Sequence, residues 1–168
     1  MKRFCTKCGQ AGIKQSDSLY ICTSGHENWI NPAAGSSVFV VHDGRVLYGV
    51  RSIEPGRGKL CPPGGFIEIG ETAEQAAIRE TKEEVGLDVT LEACLGTYGS
   101  MYEERHILNI VFVATCTDLA VNPGDDMSGG DPQWRSLGEL PELHELSDDW
   151  YAPAHADLIA WYRRTRTS

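Results

Sequence analysis

Between Gly65 and Leu87 the chain reads GFIEIGETAEQAAIRETKEEVGL, and no other stretch restricts its folding as tightly. Thr72 followed three positions later by Gln75 is a capping box, which starts a helix just after Glu71 and satisfies its first free amides. Gly86 is a natural C-terminal stop for that helix. At about 100° per residue, Ile78, Thr81 and Val85 share one face, which is expected to pack. Glu80, Glu83 and Glu84 gather on roughly the opposite side. Carboxylates three and four residues apart repel one another on a helix unless a cation or an arginine lies among them. Upstream, Cys61-Pro62-Pro63-Gly64-Gly65 predicts a tight loop whose paired glycines let backbone approach a ligand closely.

The pattern G, five residues, E, seven residues, R-E-U-x-E-E-x-G-U, with U apolar, resembles the Nudix box. Gly65, Glu71, Arg79, Glu80, Glu83, Glu84, Gly86 and Leu87 fall on it, and Thr81 stands where an apolar residue is usual. A generic acidic surface helix does not require the upstream glycines and Glu71 as well. The resemblance implies a hydrolase that cuts a pyrophosphate joining a nucleoside to another group, with Mg2+ or Mn2+. Hard oxygen ligands of this kind suit Mg2+, which completes its shell with water and substrate phosphates. A metal on this face neutralises the pyrophosphate, orients it and lowers the pKa of an attacking water. Glu80 and Glu84 are the first candidates for ligands, with Glu83 beside them. By resemblance a main-chain carbonyl near Gly64 or Gly65 joins the shell, and Arg79 pairs with Glu71 to hold the loop against the helix. A general base is also required, and Glu103, Glu104, Asp125, Asp126 and Asp131 are candidates outside the box.

At the N-terminus, Cys5-Thr-Lys-Cys8 is a C-x2-C knuckle, and Cys22 with His26 adds a third thiolate and an imidazole. That set can close a tetrahedral Zn2+ site. The segment resembles the zinc ribbon that precedes the Nudix domain in hydrolases acting on NADH, FAD or ADP-ribose. It departs by lacking the second cysteine of the usual second pair, while Asn31-Pro32 is retained. A short cysteine-rich segment with little apolar material needs such a staple. Cys61, Cys94 and Cys116 have no ligand spacing and are expected to pack.

The chain of 168 residues has room for one domain with a substantial core and a small appendage. The expected division is a zinc ribbon over 1–34 and a hydrolase domain over 35–168. A formal net charge of -9 argues against a general nucleic-acid binder, yet not against an anionic substrate neutralised by divalent cations. No apolar run approaches the roughly 20 residues that span a bilayer, and no signal peptide is evident, so a cytoplasmic setting is expected. A C-x2-C pair suited to metal rather than to disulfides agrees with that.

Residues 37–42 and 45–50 predict two strands joined at Asp43-Gly44, a strong hairpin signal. Gly56-Arg-Gly-Lys59 fails as a phosphate-binding P-loop, because Ile53 and Leu60 stand where Gly and Ser or Thr are required. Two further strands are predicted at 89–98 and 106–117, separated by a polar loop, and 122–132 predicts a mobile loop at the edge of the site. A last helix is predicted over 153–164. The resemblance implies an α/β/α sandwich with a mixed sheet, and dimers are common in that family.

For the substrate, NADH pyrophosphatases of the family carry S-Q-P-W-P-F-P downstream of the box, where this chain has Gly96-Thr-Tyr-Gly-Ser-Met-Tyr102. The resemblance is instead to ribbon enzymes of the ADP-ribose and FAD type, with a small nucleotide as the partner. Tyr98, Tyr102 and Trp134 are candidates to stack on its ring, and Gly64 and Gly65 to approach its phosphates. Alternatives are a nucleoside triphosphate pyrophosphatase and a non-catalytic regulatory or RNA-binding protein.

Overall fold

The computed structural model describes residues 3–166. The chain separates into two compact units, residues 1–32 and 33–168. In the first, β1 (Gly12–Lys14), β2 (Leu19–Cys22) and β3 (Glu27–Trp29) form an antiparallel sheet. Two tight turns flank it. In one, Gly9 N–H donates to the Cys5 carbonyl at 2.8 Å; in the other, Gly25 N–H donates to the Cys22 carbonyl at 2.9 Å. Gly9 and Gly25 have φ of 72° and 77°, the left-handed region where a side chain is strained.

The second unit is built on β4 (Ala33–His42), β5 (Arg45–Val50), β6 (Leu60–Cys61), β7 (Gly64–Phe66), β8 (Val89–Tyr102), β9 (Arg105–Cys116) and β10 (Gln133–Ser136). Its sheet runs β10-β5-β4-β9-β8, with β6 on β5 and β7 on β4. The β4–β9 pair is parallel and the others are antiparallel, which gives the mixed sheet expected. Alternation along β4 sends side chains to opposite faces. Val38 and Val40 pack with Ala77 and Val85 of α1 (Ala73–Val85). Phe39 and Val41 pack with Tyr151, Ala154 and Leu158 of α2 (Tyr151–Arg166). The sheet is therefore covered by one helix on each face, the α/β/α sandwich.

The β4–β5 turn has φ of 46° at Asp43 and 71° at Gly44, the two positive values a two-residue hairpin demands. Strand β4 begins earlier than residue 37. Ala33 to Ser37 lack a strand signature, but they pair with Ile107 to Val111 on one side, and Gly35 to Ser37 pair with β7 on the other. The polar loop expected between β8 and β9 contracts to Glu103 and Glu104, since Gly99 to Tyr102 pair with Arg105 to Leu108.

Helix α1 is capped as predicted. Thr72 Oγ1 accepts from Gln75 N–H at 3.3 Å, Gln75 Oε1 accepts from Thr72 N–H at 2.8 Å, and Gly86 closes the helix at φ 76°. Its packed face differs from the prediction. Ala76, Ala77, Thr81 and Val85 are buried, whereas Ile78 is 44% exposed. Ala77, Thr81 and Val85 follow strict four-residue spacing, and Ile78 sits one residue off that line. Thr81 fits at an apolar position because its hydroxyl donates to the Ala77 carbonyl at 2.7 Å.

The segment 122–132 is pinned, contrary to the mobile loop expected. The N–H groups of Asn122 and Gly124 donate to the Val85 and Glu84 carbonyls, and that of Gly129 to the Val50 carbonyl. The side chain of Met127, in a short 3-10 turn over Asp125–Met127, is buried in the core below Gly49. Helix α2 begins at Tyr151, and Pro153 lies in its first turn, where a missing N–H costs nothing. No helix among the described residues is long and apolar enough to cross a membrane.

Candidate functional site

A cleft of about 720 Å3 opens in the second unit along α1 and the glycine loop. Gly64, Gly65, Phe66, Glu80 and Glu84 line it, together with Arg51, Tyr102, Glu103, Asp126, Asp148, Asp149 and Trp150. The loop is held against α1 from both ends. Gly64 N–H donates to Glu84 Oε2 at 2.7 Å. Arg79 grips Glu71 with two bonds, Nε to Oε1 at 2.7 Å and Nη2 to Oε2 at 2.9 Å, and also donates to the Phe66 carbonyl at 3.1 Å. Arg79 Nη1 reaches Glu80 Oε1 at 2.8 Å and Glu83 Oε2 at 3.1 Å. One guanidinium thus ties together three box carboxylates and the loop. The pairing expected from the motif is observed.

Space excludes a side chain at Gly64, and at Gly65 a side chain would displace Glu80. A methyl group on Gly65 would fall on the Glu80 carboxylate, and one on Gly64 would fall on the Ser36 carbonyl and Ser37. Each carboxylate of the box has its own electrostatic setting. The Arg79 fork beside Glu71 holds its carboxyl down to about 2. Burial pushes Glu80 upward against the pull of Arg79. Burial pushes Glu84 up to about 8 against the Gly64 N–H, and the charges of Glu80 and Asp126 add to the rise. Glu83 is exposed and turned to Arg79. Two partly buried carboxylates facing a cleft, with backbone beside them, form an oxygen-rich donor set of the kind a hard divalent cation takes.

Of the base candidates, Glu103 and Asp126 line the cleft; Glu104, Asp125 and Asp131 are not part of its lining. Asp126 is fixed by its backbone, whose carbonyl accepts from Ser52 N–H at 2.9 Å. Tyr102 reaches the cleft and meets the Phe66 ring edge-on at 6.1 Å. Tyr98 and Trp134 lie outside the lining. Tyr98 donates to Asp157 Oδ2 at 2.6 Å and stacks on Trp150 at 5.7 Å, so it backs a cleft residue. Trp134 packs on the α1 face of the sheet, beside His42.

Sequence reasoning passed over Arg51, Asp148, Asp149 and Trp150. Arg51 is the one Lys, Arg or His among the cleft-lining residues. Burial and a hydrogen bond with Asp149 push the Asp148 carboxyl up to about 6. The signal was the Ser-Asp-Asp-Trp run before α2, which reads as an ordinary acidic helix start.

In the first unit, the ligand atoms of Cys5, Cys8, Cys22 and His26 all lie within 4.8 Å of one another. Cys8 Sγ and Cys22 Sγ are 3.7 Å apart, and Cys5 Sγ and His26 Nδ1 are 3.6 Å apart. A tetrahedral ion with Zn–S of about 2.3 Å and Zn–N of about 2.05 Å sets those separations at about 3.8 and 3.6 Å. The N–H groups of Lys7 and His26 point at the sulfurs of Cys5 and Cys22, each at 3.4 Å. Although burial opposes it, hydrogen bonding led by the Lys7 and Cys8 amides draws the Cys5 thiol down to about 6, toward the thiolate a metal takes. His26 thus stands where the missing second cysteine of the pair would.

The model of the NUDIX domain matches residues 31–162, which include the whole cleft-lining set. The chain belongs to the Nudix family. It is 33% identical over 117 residues to the ADP-ribose pyrophosphatase of Methanocaldococcus jannaschii, covering 68% of each chain. It is 35% identical over 127 residues to the oxidized purine nucleoside triphosphate hydrolase of Danio rerio, covering 74% of each. The crystal structure of a Nudix hydrolase from Nitrosomonas europaea superposes with a TM-score of 0.75 at 26% identity, over 100% of this chain and 94% of that one. As a Nudix hydrolase the protein acts on phosphorus anhydrides of small nucleotides.

Proposed function

We propose that the protein hydrolyses the pyrophosphate of an adenine nucleoside diphosphate linked to another moiety, ADP-ribose or FAD being the leading cases, and releases AMP. The observation that carries this reading is that one cleft is lined by acidic oxygen donors, by the Arg51 cation and by the Asp148–Asp149 pair with Trp150. Its volume lies in the range that encloses a whole ligand of this size. The similarity to the Methanocaldococcus jannaschii ADP-ribose pyrophosphatase supports the same choice.

Glu80 and Glu84 would hold Mg2+ or Mn2+, with the Gly64–Gly65 backbone alongside, while Glu83, exposed and outside the cleft lining, is paired with Arg79. When bound, such an ion neutralises phosphate charge and acidifies a water for attack at phosphorus. Arg79 keeps Glu71, Glu80 and the loop in one arrangement, so the donor set is formed before substrate arrives. Arg51 supplies the positive charge that meets a substrate phosphate. Asp126, on a pinned segment beside Glu84, accepts the proton of the attacking water; Glu103, on the hairpin turn, does not. Trp150, 5% exposed and flanked by Tyr98 and Tyr151, supplies a rigid apolar wall beside the base. Asp148, whose carboxyl burial and Asp149 raise to about 6, brings with Asp149 carboxylate acceptors to the cleft, which the amino group of adenine can meet. In the first unit, Cys5, Cys8, Cys22 and His26 hold a structural Zn2+.

A second reading, a nucleoside triphosphate pyrophosphatase, is favoured by the same acid pair. Two neighbouring carboxyl groups can accept from the N–H donors of a guanine edge, and the Danio rerio relative is named an oxidized purine nucleoside triphosphate hydrolase. Purified protein incubated with Mg2+ and a panel of ADP-ribose, FAD, NADH, dinucleoside polyphosphates and dNTPs separates the two. AMP released from ADP-ribose or FAD supports the first. Inorganic pyrophosphate released from a dNTP replaces it with the second, and turnover of none of them removes both.

A further inference from the structure

The acidity of the whole chain conceals a partition. Residues 1–32 carry four Lys and Arg against two Asp and Glu, so 11 of the chain's 15 basic residues and 22 of its 24 acidic ones lie in the catalytic unit. Three thiolates around a divalent ion subtract one charge from the first unit and leave it positive. The net acidity that disfavours a nucleic-acid partner therefore belongs to the second unit and not to the first.

The first unit also exposes more aromatic surface than its size explains. Phe4 is 62% exposed and Trp29 59% exposed, in a unit with very little core of its own. Both line a cavity of about 260 Å3, with Arg3, Thr6, Tyr20 and Asn28. The cavity is braced: Thr6 N–H donates to Asn28 Oδ1 at 3.0 Å, and the Trp29 indole N–H donates to Glu27 Oε2 at 3.1 Å. Its wall includes Cys5, so the Cys/His cluster and the cavity share a support. The Arg3 guanidinium lies 5.7 Å from the Tyr20 ring centroid. Among the described residues, Lys14 is paired with Asp17, but Arg3 and Lys7 enter no ion pair.

Exposed rings beside Arg3, in a small positive unit that also carries Lys7 next in sequence to the cavity residue Thr6, meet the two needs of an unpaired strand: faces on which bases stack and charges that follow its phosphates. A duplex would need a broader basic surface than this unit has. We propose that this face of the N-terminal unit binds single-stranded nucleic acid, with bases stacking on Phe4 and Trp29 and with Arg3 and Lys7 meeting phosphates. The site is independent of the chemistry assigned to the cleft.

The test is fluorescence anisotropy of a labelled single-stranded RNA of about ten nucleotides with the full-length, zinc-loaded protein, titrated at several salt concentrations. Trp29→Ala and Phe4→Ala are each expected to weaken binding roughly ten-fold, and Trp29→Phe to retain most of it. Arg3→Gln and Lys7→Gln are each expected to lower the slope of log affinity against log salt by about 0.7. Zinc content and hydrolytic turnover of these variants should match wild type, which separates loss of the surface from loss of the fold. No binding at low salt, variants that bind like wild type, or equal binding of a duplex would each overturn the proposal. AMP competing as well as the strand would also overturn it, by making the cavity a mononucleotide site.

Discussion

Arg79 and Glu71 are joined by two nearly parallel hydrogen bonds of 2.7 and 2.9 Å, a fork meeting a fork across the junction of loop and helix. The pair is partly buried, and the same guanidinium holds Glu80. Lysine carries the charge but not the planar fork. Arg79→Lys should therefore lower kcat by about ten- to a hundred-fold through misplaced donors, with KM little changed. Steady-state kinetics decide it. An unchanged kcat would reduce the fork to a surface ion pair.

Glu84→Gln removes a carboxyl placed toward the cleft, and with it the anionic oxygen a cation would take, while keeping the side chain's shape and its acceptor for Gly64 N–H. The melting temperature should hold, turnover should fall by at least about a hundred-fold, and Mn2+ affinity measured by calorimetry should drop. A variant with near-wild-type rate removes Glu84 from the metal shell.

For the proton acceptor, Asp126→Asn should cost about a hundred-fold or more in kcat, and Glu103→Gln no more than a few-fold. The reverse ranking would assign the base to the hairpin turn. Because both residues line one cleft, substrate affinity serves as the control.

Chelation of zinc should release residues 3–32 and leave the second unit folded, since the two units are separately compact. Hydrogen exchange by mass spectrometry, read segment by segment, shows which part loses protection. Carefully purified protein without bound zinc would end the ribbon assignment, whatever the enzyme does.

His155 gives a pH signature that has nothing to do with catalysis. It is buried, its Nε2 lies 2.8 Å from Tyr48 Oη, and burial draws its pKa from 6.5 to about 4. The unfolded chain thus takes up this proton more readily than the folded one. The contribution to stability is intact above about pH 6.5 and lost as pH falls toward 4, for about 3 kcal/mol in all. In denaturant titrations from pH 7.5 to about 4.5, the stability of wild type relative to His155→Gln should shrink with acid. Parallel curves would mean that His155 does not titrate in this range.

The parts legible in the sequence are those whose signals are local. Thr72 and Gln75 cap the helix, Asp43 and Gly44 turn the hairpin, and the box resemblance implies the Arg79–Glu71 pair, because each involves residues near in the chain. What escaped depends on partners far away. Ala33 to Ser37 carry no strand signature and become a strand only between β7 and β9. Tyr98 reads as a ligand-stacking ring until Asp157 of α2, and Trp150 just before that helix, come to it. Arg51 and Asp148 lie far apart in sequence, and only the folded cleft gives them a common role.

The pinned segment 122–132 has a further consequence. Its amides take the carbonyls of Glu84 and Val85 at the end of α1 and of Val50 at the end of β5, so it bridges the elements that carry Glu84 and Arg51. The amides of Gly124 and Gly129 should exchange slowly with solvent in spite of the glycines around them. For anyone grafting a tag or loop into this enzyme, residues added at 124 would pull Glu84 and Arg51 out of register, however irregular the segment looks.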